Sequence, residues 1–114
     1  MPDDDKKDAQ RFETLKDSVF RVGHIRRGSV TRRFMPCGKQ PCRCHAMPPQ
    51  LHGPYYQWTR KLRGKTVTVH LREQEAEHIQ GWIENARKLD RIVADMEKLS
   101  LRVTERLLRL LKPA

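Results

Sequence analysis

Residues 54–71 read PYYQWTRKLRGKTVTVHL, and this stretch decides the fold class. Pro54–Arg60 is rich in aromatic residues and Lys65–Leu71 alternates in polarity, so both segments predict β-strands. Lys61–Gly64 predicts the turn between them, in which Gly64 supplies the positive φ that such turns usually need. The sequence therefore predicts a β-hairpin.

The residues that precede this hairpin predict a tail, a helix, a third strand and a long loop. Residues 1–8 are acidic and polar, and we expect a disordered tail there. The next segment, 9–21, carries apolar residues at helical spacing and predicts a short amphipathic helix. Val30–Met35 predicts a third strand. Pro36–Gly53 contains four prolines and two glycines, which is typical of a loop.

Residues 73–112 contain no proline and predict one long, coiled-coil-like helix. Apolar residues recur in alternating steps of three and four, with Ser100 the only polar member, which is a heptad seam: Ile79, Trp82, Ala86, Leu89, Val93, Met96, Ser100, Val103, Leu107 and Leu110. A continuous helix would span roughly 55 Å, more than the preceding segments can cover. We therefore expect self-association through residues 79–110.

Other arrangements of this helix remain open. Ile92 and Leu99 flank the seam and widen the apolar stripe, which favours packing on the N-terminal part or a bundle of more than two helices. Ser100 could cap a new helix if the chain folds back on itself near residues 99–101. If the helix packs on the N-terminal part or folds back, the chain's own core would cover the seam.

All three cysteines lie within the predicted loop, at Cys37, Cys42 and Cys44. His45 follows directly and His52 comes seven residues later, so the pattern is Cys-x4-Cys-x-Cys-x7-His. Three thiolates and an imidazole are a common tetrahedral ligand set for structural Zn²⁺. His52 is the preferred fourth ligand because adjacent side chains point apart, but His45 stays open. An iron–sulfur cluster or free, redox-sensing thiols are the alternatives.

These elements predict an α+β protein: a small zinc-stapled β-hairpin or three-stranded sheet, with a short N-terminal helix and a long C-terminal helix. We divide the chain into the tail at 1–8, a basic zinc-loop and hairpin module at 9–72, and the helix at 73–112. The zinc would stabilise a chain whose apolar content, 37%, limits its core.

The formal charge of +10 is confined to one part of the chain. Ser18–Arg72 contains twelve Lys and Arg and no acidic residue, whereas the remainder holds twelve Lys and Arg against fourteen acids. Such a segment indicates a surface that meets a polyanion. We expect the following residues to contact nucleic acid: Arg26, Arg27, Arg32, Arg33, Lys39, Arg43, Tyr55, Arg60, Lys61, Arg63 and Lys65.

Four motifs of this chain resemble a family of short bacterial proteins of unknown function: IRRGSVTRR at 25–33, CGKQPCRC at 37–44, HGPYYQWTR at 52–60 and GKTVT at 64–68. Members of that family are often encoded near transposases and integrases. The resemblance implies a DNA-related accessory role and a recombinase or transposase as a possible partner, but it implies no enzymatic activity.

We therefore expect a zinc-containing protein that binds nucleic acid, DNA rather than RNA because of the resemblance. The alternative is an interaction adaptor that holds a partner through its coiled coil and meets an acidic protein surface or RNA through its basic segment. The set of acid, base and nucleophile that an enzyme would need is absent, since Ser18–Arg72, the segment that holds the cysteines and the hairpin, lacks carboxylates. The sequence has neither a signal peptide nor an apolar run long enough to span a membrane, so we expect a cytoplasmic or nucleoid-associated protein.

Overall fold

The computed structural model describes residues 2–37, 42–46 and 50–111. Within them the elements follow the order α1 (Pro2–Phe20), β1 (Ser29–Met35), a 3-10 turn (Arg43–His45), β2 (His52–Leu62), β3 (Lys65–Leu71) and α2 (Glu73–Leu111). The chain divides into two compact units. We call Met1–His24 with Asn85–Ala114 the helical unit, and Ile25–Glu84 the sheet unit. The predicted α+β class is confirmed.

The three strands form one antiparallel sheet in the order β1-β2-β3. Val30 of β1 and Val69 of β3 both pair with Trp58, which places this tryptophan in the central strand. The register of β1 shifts between Arg33 and Met35, beyond which Met35 pairs with His52. The predicted hairpin and the third strand are therefore present.

The turn of the hairpin is tighter than we expected. β2 continues through Leu62, which pairs with Lys65, so only two residues connect the strands. Both have positive φ, 51° at Arg63 and 80° at Gly64. Two consecutive residues with positive φ are the signature of a type I′ turn, whose twist matches that of the strands. The four-residue turn at Lys61–Gly64 is corrected accordingly.

The sheet has two chemically different faces because side chains alternate along each strand. Trp58 is buried on the inner face, where Val30 and Tyr56 line a crevice together with the first turns of α2, including the buried Ala76. The outer face carries polar side chains from all three strands: Ser29, Thr31, Arg33, Tyr55, Gln57, Thr59, Lys61, Thr66, Thr68 and His70. The inner face is thus largely apolar, with Arg32 and Arg60 among its charged residues, whereas the outer face is polar.

The N-terminal tail that we expected to be disordered is helical. α1 begins at Pro2 and carries Asp3, Asp4 and Asp5 in its first turn. Proline suits the first position of a helix, and carboxylates are favoured beside the positive end of its dipole. Asp8, only 5% exposed, forms ion pairs with two arginines of α2. Acidic composition here stabilises a helix instead of keeping the chain disordered.

The helical unit has its core between α1 and α2. Leu15, Ile92 and Leu99 are buried in it, and partly buried side chains pack around them: Phe12, Val19, Val22 and Met96. Ile92 and Leu99 are the flanking residues of the predicted seam, whereas the seam residues Val93, Leu107 and Leu110 are 42–74% exposed. In this unit α1 therefore covers the flank of the seam. Phe20, the last residue of α1, is 90% exposed.

Gly28 allows the chain to pass close to β2 before β1 begins. Its φ is 109°, and a Cβ built there would clash with the Thr59 carbonyl and lie 2.9 Å from Trp58 Nε1. Positive φ and close backbone approach are both conditions that favour glycine. Residues 25–28 are consequently held against the middle of the sheet.

Gly28→Ala is expected to lower the free energy of unfolding by about 2 kcal/mol or more, because alanine adds both strain and overlap. Urea denaturation followed by circular dichroism measures this. Gly81→Ala is the matched control, since its Cβ would meet nothing within 4 Å. As Gly81 lies within α2, this change should stabilise the protein by roughly 0.5–1 kcal/mol. Equal effects of the two variants would contradict the close approach at Gly28.

Candidate metal centre and outer sheet face

The two ends of the loop between β1 and β2 meet because those strands are antiparallel. Met35 pairs with His52 at the last rung of the ladder. Cys37 follows β1 by two residues, so it lies beside the strand that begins with His52. Cys42 and Cys44 return to the same place from within the loop, where a 3-10 turn spans Arg43–His45. Sheet register thus collects residues that are up to fifteen positions apart.

The four predicted ligands form one cluster. The Sγ atoms of Cys37, Cys42 and Cys44 and a ring nitrogen of His52 all lie within 4.8 Å of one another. Cys37 Sγ is 3.5 Å from Cys44 Sγ, and Cys42 Sγ is 3.1 Å from His52 Nε2. Cys44 is 2% exposed. This arrangement is compatible with a structural metal site.

Backbone amides point at the sulfur atoms of the cluster. The Cys37 N–H donates to Cys44 Sγ over 3.3 Å. A backbone hydrogen bond from Cys44, followed by the hydrogen bond to His52, lowers the pKa of the Cys42 thiol to about 6. Burial raises the pKa of the Cys44 thiol. Metal ligation requires thiolates, and N–H donors to sulfur are the outer contacts that stabilise them.

His45, the alternative fourth ligand, has a different partner. Its Nε2 lies 2.8 Å from the carbonyl oxygen of Cys37, to which the ring N–H can donate, and its side chain is exposed. The His45 backbone N–H also donates to the Cys42 carbonyl over 2.9 Å. His45 therefore braces the loop, while His52 joins the thiols.

The predicted nucleic-acid contacts fall into separate groups. Arg33, Tyr55 and Lys61 lie on the outer face, whereas Arg26, Arg27 and Arg60 line a cleft beside β2, together with Lys61. Arg32 lies on the inner face with its guanidinium 5.0 Å from the Phe34 ring centroid. Arg63 and Lys65 are exposed at the hairpin turn. Lys39 and the side chain of Arg43 lie outside the described residues.

The outer face contains residues that the sequence did not single out. Thr59 Oγ1 lies 3.3 Å from Thr68 Oγ1, and Lys61 Nζ donates to Thr66 Oγ1 over 2.8 Å. Thr31 and His70 add further polar groups from the two flanking strands. Period-two alternation could have placed each of them on a face, but only the register shows that the three strands contribute to the same surface.

These features define a small α+β protein with a Cys₃His cluster at one end of a three-stranded sheet that has an acid-free polar face. Its sequence matches the family described as "Domain of unknown function (DUF6788)" over residues 6–81, and the chain belongs to that family. The matched region includes the cluster, the whole sheet and most of α1, and it ends within α2.

No curated protein and no solved structure matches the chain at a significant level. Among the described residues, neither α1 nor α2 combines the length and the apolar character needed to cross a bilayer.

Alanine substitution of each histidine tests which of the two ligates the metal. His52→Ala is expected to weaken Co²⁺ binding by about 100-fold or more, because a ligand is lost, whereas His45→Ala should cost at most about 10-fold. The intense visible absorption of tetrahedral Co²⁺–thiolate complexes reports the titration. If His45→Ala abolished that absorption and His52→Ala did not, the assignment of the fourth ligand would be reversed.

Proposed function

We propose that this chain is a zinc-stabilised nucleic-acid-binding protein that contacts DNA through the outer face of its sheet. The observation that carries the proposal is the composition of that face, which offers cations, hydroxyl groups and an aromatic ring and includes no carboxylate.

Positive charge in the sheet unit is separated from negative charge. Residues 25–84 contain eleven Lys and Arg and four acidic residues, and all four acids belong to α2. The strands themselves contain no acid. Cations on a surface without acidic neighbours attract phosphates, and their binding releases the counterions condensed on the nucleic acid. This separation supports a polyanionic ligand.

The outer face also presents groups suited to base edges. Hydroxyl and amide groups of Thr31, Gln57 and Thr68 can donate and accept hydrogen bonds, and Tyr55 is 41% exposed. Sheets and two-stranded ribbons are known to enter DNA grooves. Arg33 and Lys61 flank these residues and can reach phosphates. We therefore propose that the cations orient the DNA by contacting its phosphates, whereas the threonines and Gln57 contact the base edges.

Zinc is our choice for the Cys₃His cluster. Ligands about 2.1–2.3 Å from a tetrahedral ion lie roughly 3.4–3.8 Å apart. The Cys37–Cys44 sulfur separation is 3.5 Å, that between Cys42 Sγ and His52 Nε2 is 3.1 Å, and all four atoms lie within 4.8 Å of one another, so small side-chain adjustments would complete the tetrahedron. Three thiolates and one imidazole match its preference, whereas an iron–sulfur cluster requires a fourth thiolate from elsewhere. Bound zinc would close the loop that joins the first two strands. Its role would be structural, since every ligand comes from the protein.

Self-association through the C-terminal half of α2 completes the proposal. α1 packs beside Ile92 and Leu99, yet Val103, Leu107 and Leu110 remain 43–74% exposed. Phe12, Leu99 and Val103 also line a groove of about 510 Å³ within the helical unit. A second α1–α2 pair has the shape and the apolar face to cover this surface as a helical bundle. Two copies would double the number of phosphate contacts.

The exposed leucines also favour a second function, that of an interaction adaptor. In that case a different protein would cover α2, and the basic face would meet an acidic protein surface. The two functions differ in their response to salt and to nucleic acid. We place the DNA-binding function first because hydroxyl-rich sheet faces suit base edges.

The biological role that we propose rests on the resemblance of the four sequence motifs to a family encoded near transposases and integrases, and not on a structural contact. We infer a non-catalytic accessory role in transposition or recombination, performed in the cytoplasm at the nucleoid, with a recombinase or transposase as partner. Such a role requires DNA binding and assembly, both of which can be tested on the purified protein.

Neutralisation of neighbouring arginines tests the outer face. Arg33→Gln should weaken duplex DNA binding by about 3–10-fold and reduce the slope of log K against log salt by about one, as expected for one lost phosphate contact. Arg32→Gln removes the same charge from the inner face, and its slope should stay unchanged. Fluorescence anisotropy in a salt series measures both.

Three outcomes of that titration decide the function. No binding of duplex DNA, single-stranded DNA or an RNA hairpin at low salt would exclude a nucleic-acid ligand and leave the adaptor. Binding of RNA alone would overturn the choice of DNA. Equal losses for Arg32→Gln and Arg33→Gln would remove the outer face from the interface.

A matched pair of leucine variants tests self-association. Leu107→Glu, in the heptad seam and 51% exposed, should give a monomer of 13.5 kDa by light scattering. Leu101→Glu adds the same charge outside the seam at a residue 57% exposed, and it should leave the oligomer intact. A wild-type protein that is monomeric at high concentration would contradict this part of the proposal.

A further inference from the structure

A cleft rich in cations lies where residues 25–27 run beside the end of β2. Its volume is about 320 Å³, and six residues line it: Ile25, Arg26, Arg27, Arg60, Lys61 and Leu62. Pairing of β1 with β2 begins at Ser29 and Thr59, so the cleft lies just beyond the β1–β2 ladder, where residues 60–62 of β2 still pair with β3. Four of its six residues are positively charged and none is acidic.

Two of these arginines are held against the same aromatic ring. The guanidinium of Arg60 lies 4.0 Å and that of Arg26 lies 4.5 Å from the ring centroid of Trp58. Trp58 is 7% exposed, so its position is fixed by packing. Contact with an indole face orients a guanidinium plane and partly offsets its charge. The cations are therefore positioned despite their mutual repulsion.

The backbone of the cleft is anchored as well. Trp58 Nε1 donates to the Arg27 carbonyl over 2.9 Å, and the Arg26 N–H donates to the Trp82 carbonyl over 3.2 Å. Gly28 then passes too close to Thr59 for any other side chain. Residues 26–28 thus meet β2 and α2 through defined contacts, and the cleft is a built feature of the sheet unit.

Arg60 keeps unused donor capacity at this position. Its Nη1 is inaccessible to solvent and has no hydrogen-bond partner among the described residues. Buried guanidinium nitrogens normally find an acceptor, because an unpaired donor is unfavourable. No residue that lines the cleft has a carboxylate to fill that role. The side chains that line the cleft therefore supply donors and positive charge but no anionic acceptor.

We infer that this cleft is a phosphate-binding site, in which Arg26 and Arg60 clamp one phosphate group and Arg27 and Lys61 add charge around it. Arginine pairs suit phosphate because each guanidinium can donate two parallel hydrogen bonds. Lys61 belongs both to the cleft and to the outer face. Resting on the proposed function, the inference is that the group bound here is a backbone phosphate of the same DNA, reached at the end of β2 where Lys61 joins the cleft to the outer face.

Two probes distinguish a nucleic-acid phosphate from a free one. The ¹⁵N resonances of the arginine Nε–H groups are followed while inorganic pyrophosphate is added to the full-length, zinc-loaded protein. Duplex DNA is titrated in parallel by anisotropy. Arg60→Gln and Arg26→Gln are the test variants. Arg72→Gln is the control, because Arg72 is 91% exposed and pairs with Glu75 outside the cleft.

Pyrophosphate is expected to shift the Arg26 and Arg60 resonances saturably and to leave that of Arg72 unmoved. Each test variant should lose DNA affinity by about 3–10-fold and reduce the salt slope by about one, whereas Arg72→Gln should keep the wild-type slope. Arg26 is exposed, so Arg26→Gln should fold normally, and its circular dichroism spectrum checks this.

The two titrations distinguish a wrong assignment of the cleft from a wrong assignment of the DNA ligand. If DNA binds with a wild-type slope in both test variants, the cleft does not hold a DNA phosphate, the inference is overturned, and DNA binding stands. Saturable pyrophosphate binding without DNA binding would support the anion site and overturn the nucleic-acid ligand. No response to either probe would overturn both.

Discussion

Antiparallel pairing between β1 and β2 is the constraint on which the sheet unit depends. At one end of the ladder, Met35 opposite His52 brings the two ends of the loop together and so creates the cysteine–histidine cluster. At the other end, Ser29 opposite Thr59 sets residues 25–27 beside Arg60–Leu62 and so creates the cationic cleft. Both candidate sites are consequences of a single register.

That register is fixed by the difference between the two faces. Side chains alternate with a period of two, so a slip of one residue would expose Trp58 and turn Thr59 inward. Trp58 also donates from Nε1 to the Arg27 carbonyl, a contact that a shifted strand would lose. The energetic cost of exposing this one aromatic residue therefore protects the arrangement of the metal cluster and the cleft alike.

Local patterns in the sequence predicted the strands, the hairpin and the four members of the cluster, because turn chemistry, alternation and ligand spacing act over a few residues. The heptad pattern left open whether Ile92 and Leu99 pack on the N-terminal part, and the structure shows that they do, while Leu107 stays exposed. The ion pairs between Asp8 and two arginines of α2, which also join α1 to α2, connect residues too distant in sequence for a local pattern to reveal. Acidic composition alone had indicated a disordered tail.

The sheet unit has a small core, so its stability depends strongly on charge repulsion and on metal binding. Among its described residues, only Cys44, Trp58, Ala76 and Ile83 are buried. Eleven Lys and Arg against four acids repel one another, which opposes a compact state that has little apolar burial to stabilise it. A zinc ion bound by three thiolates and a neutral imidazole would add folding free energy, and the site as a whole would carry a net charge of about −1 in the same unit. A phosphate in the cleft, at the opposite end of the β1–β2 ladder, would likewise reduce the repulsion between the cations. The basic composition is therefore unfavourable for the free sheet unit and favourable for a unit that holds both a metal and a polyanion.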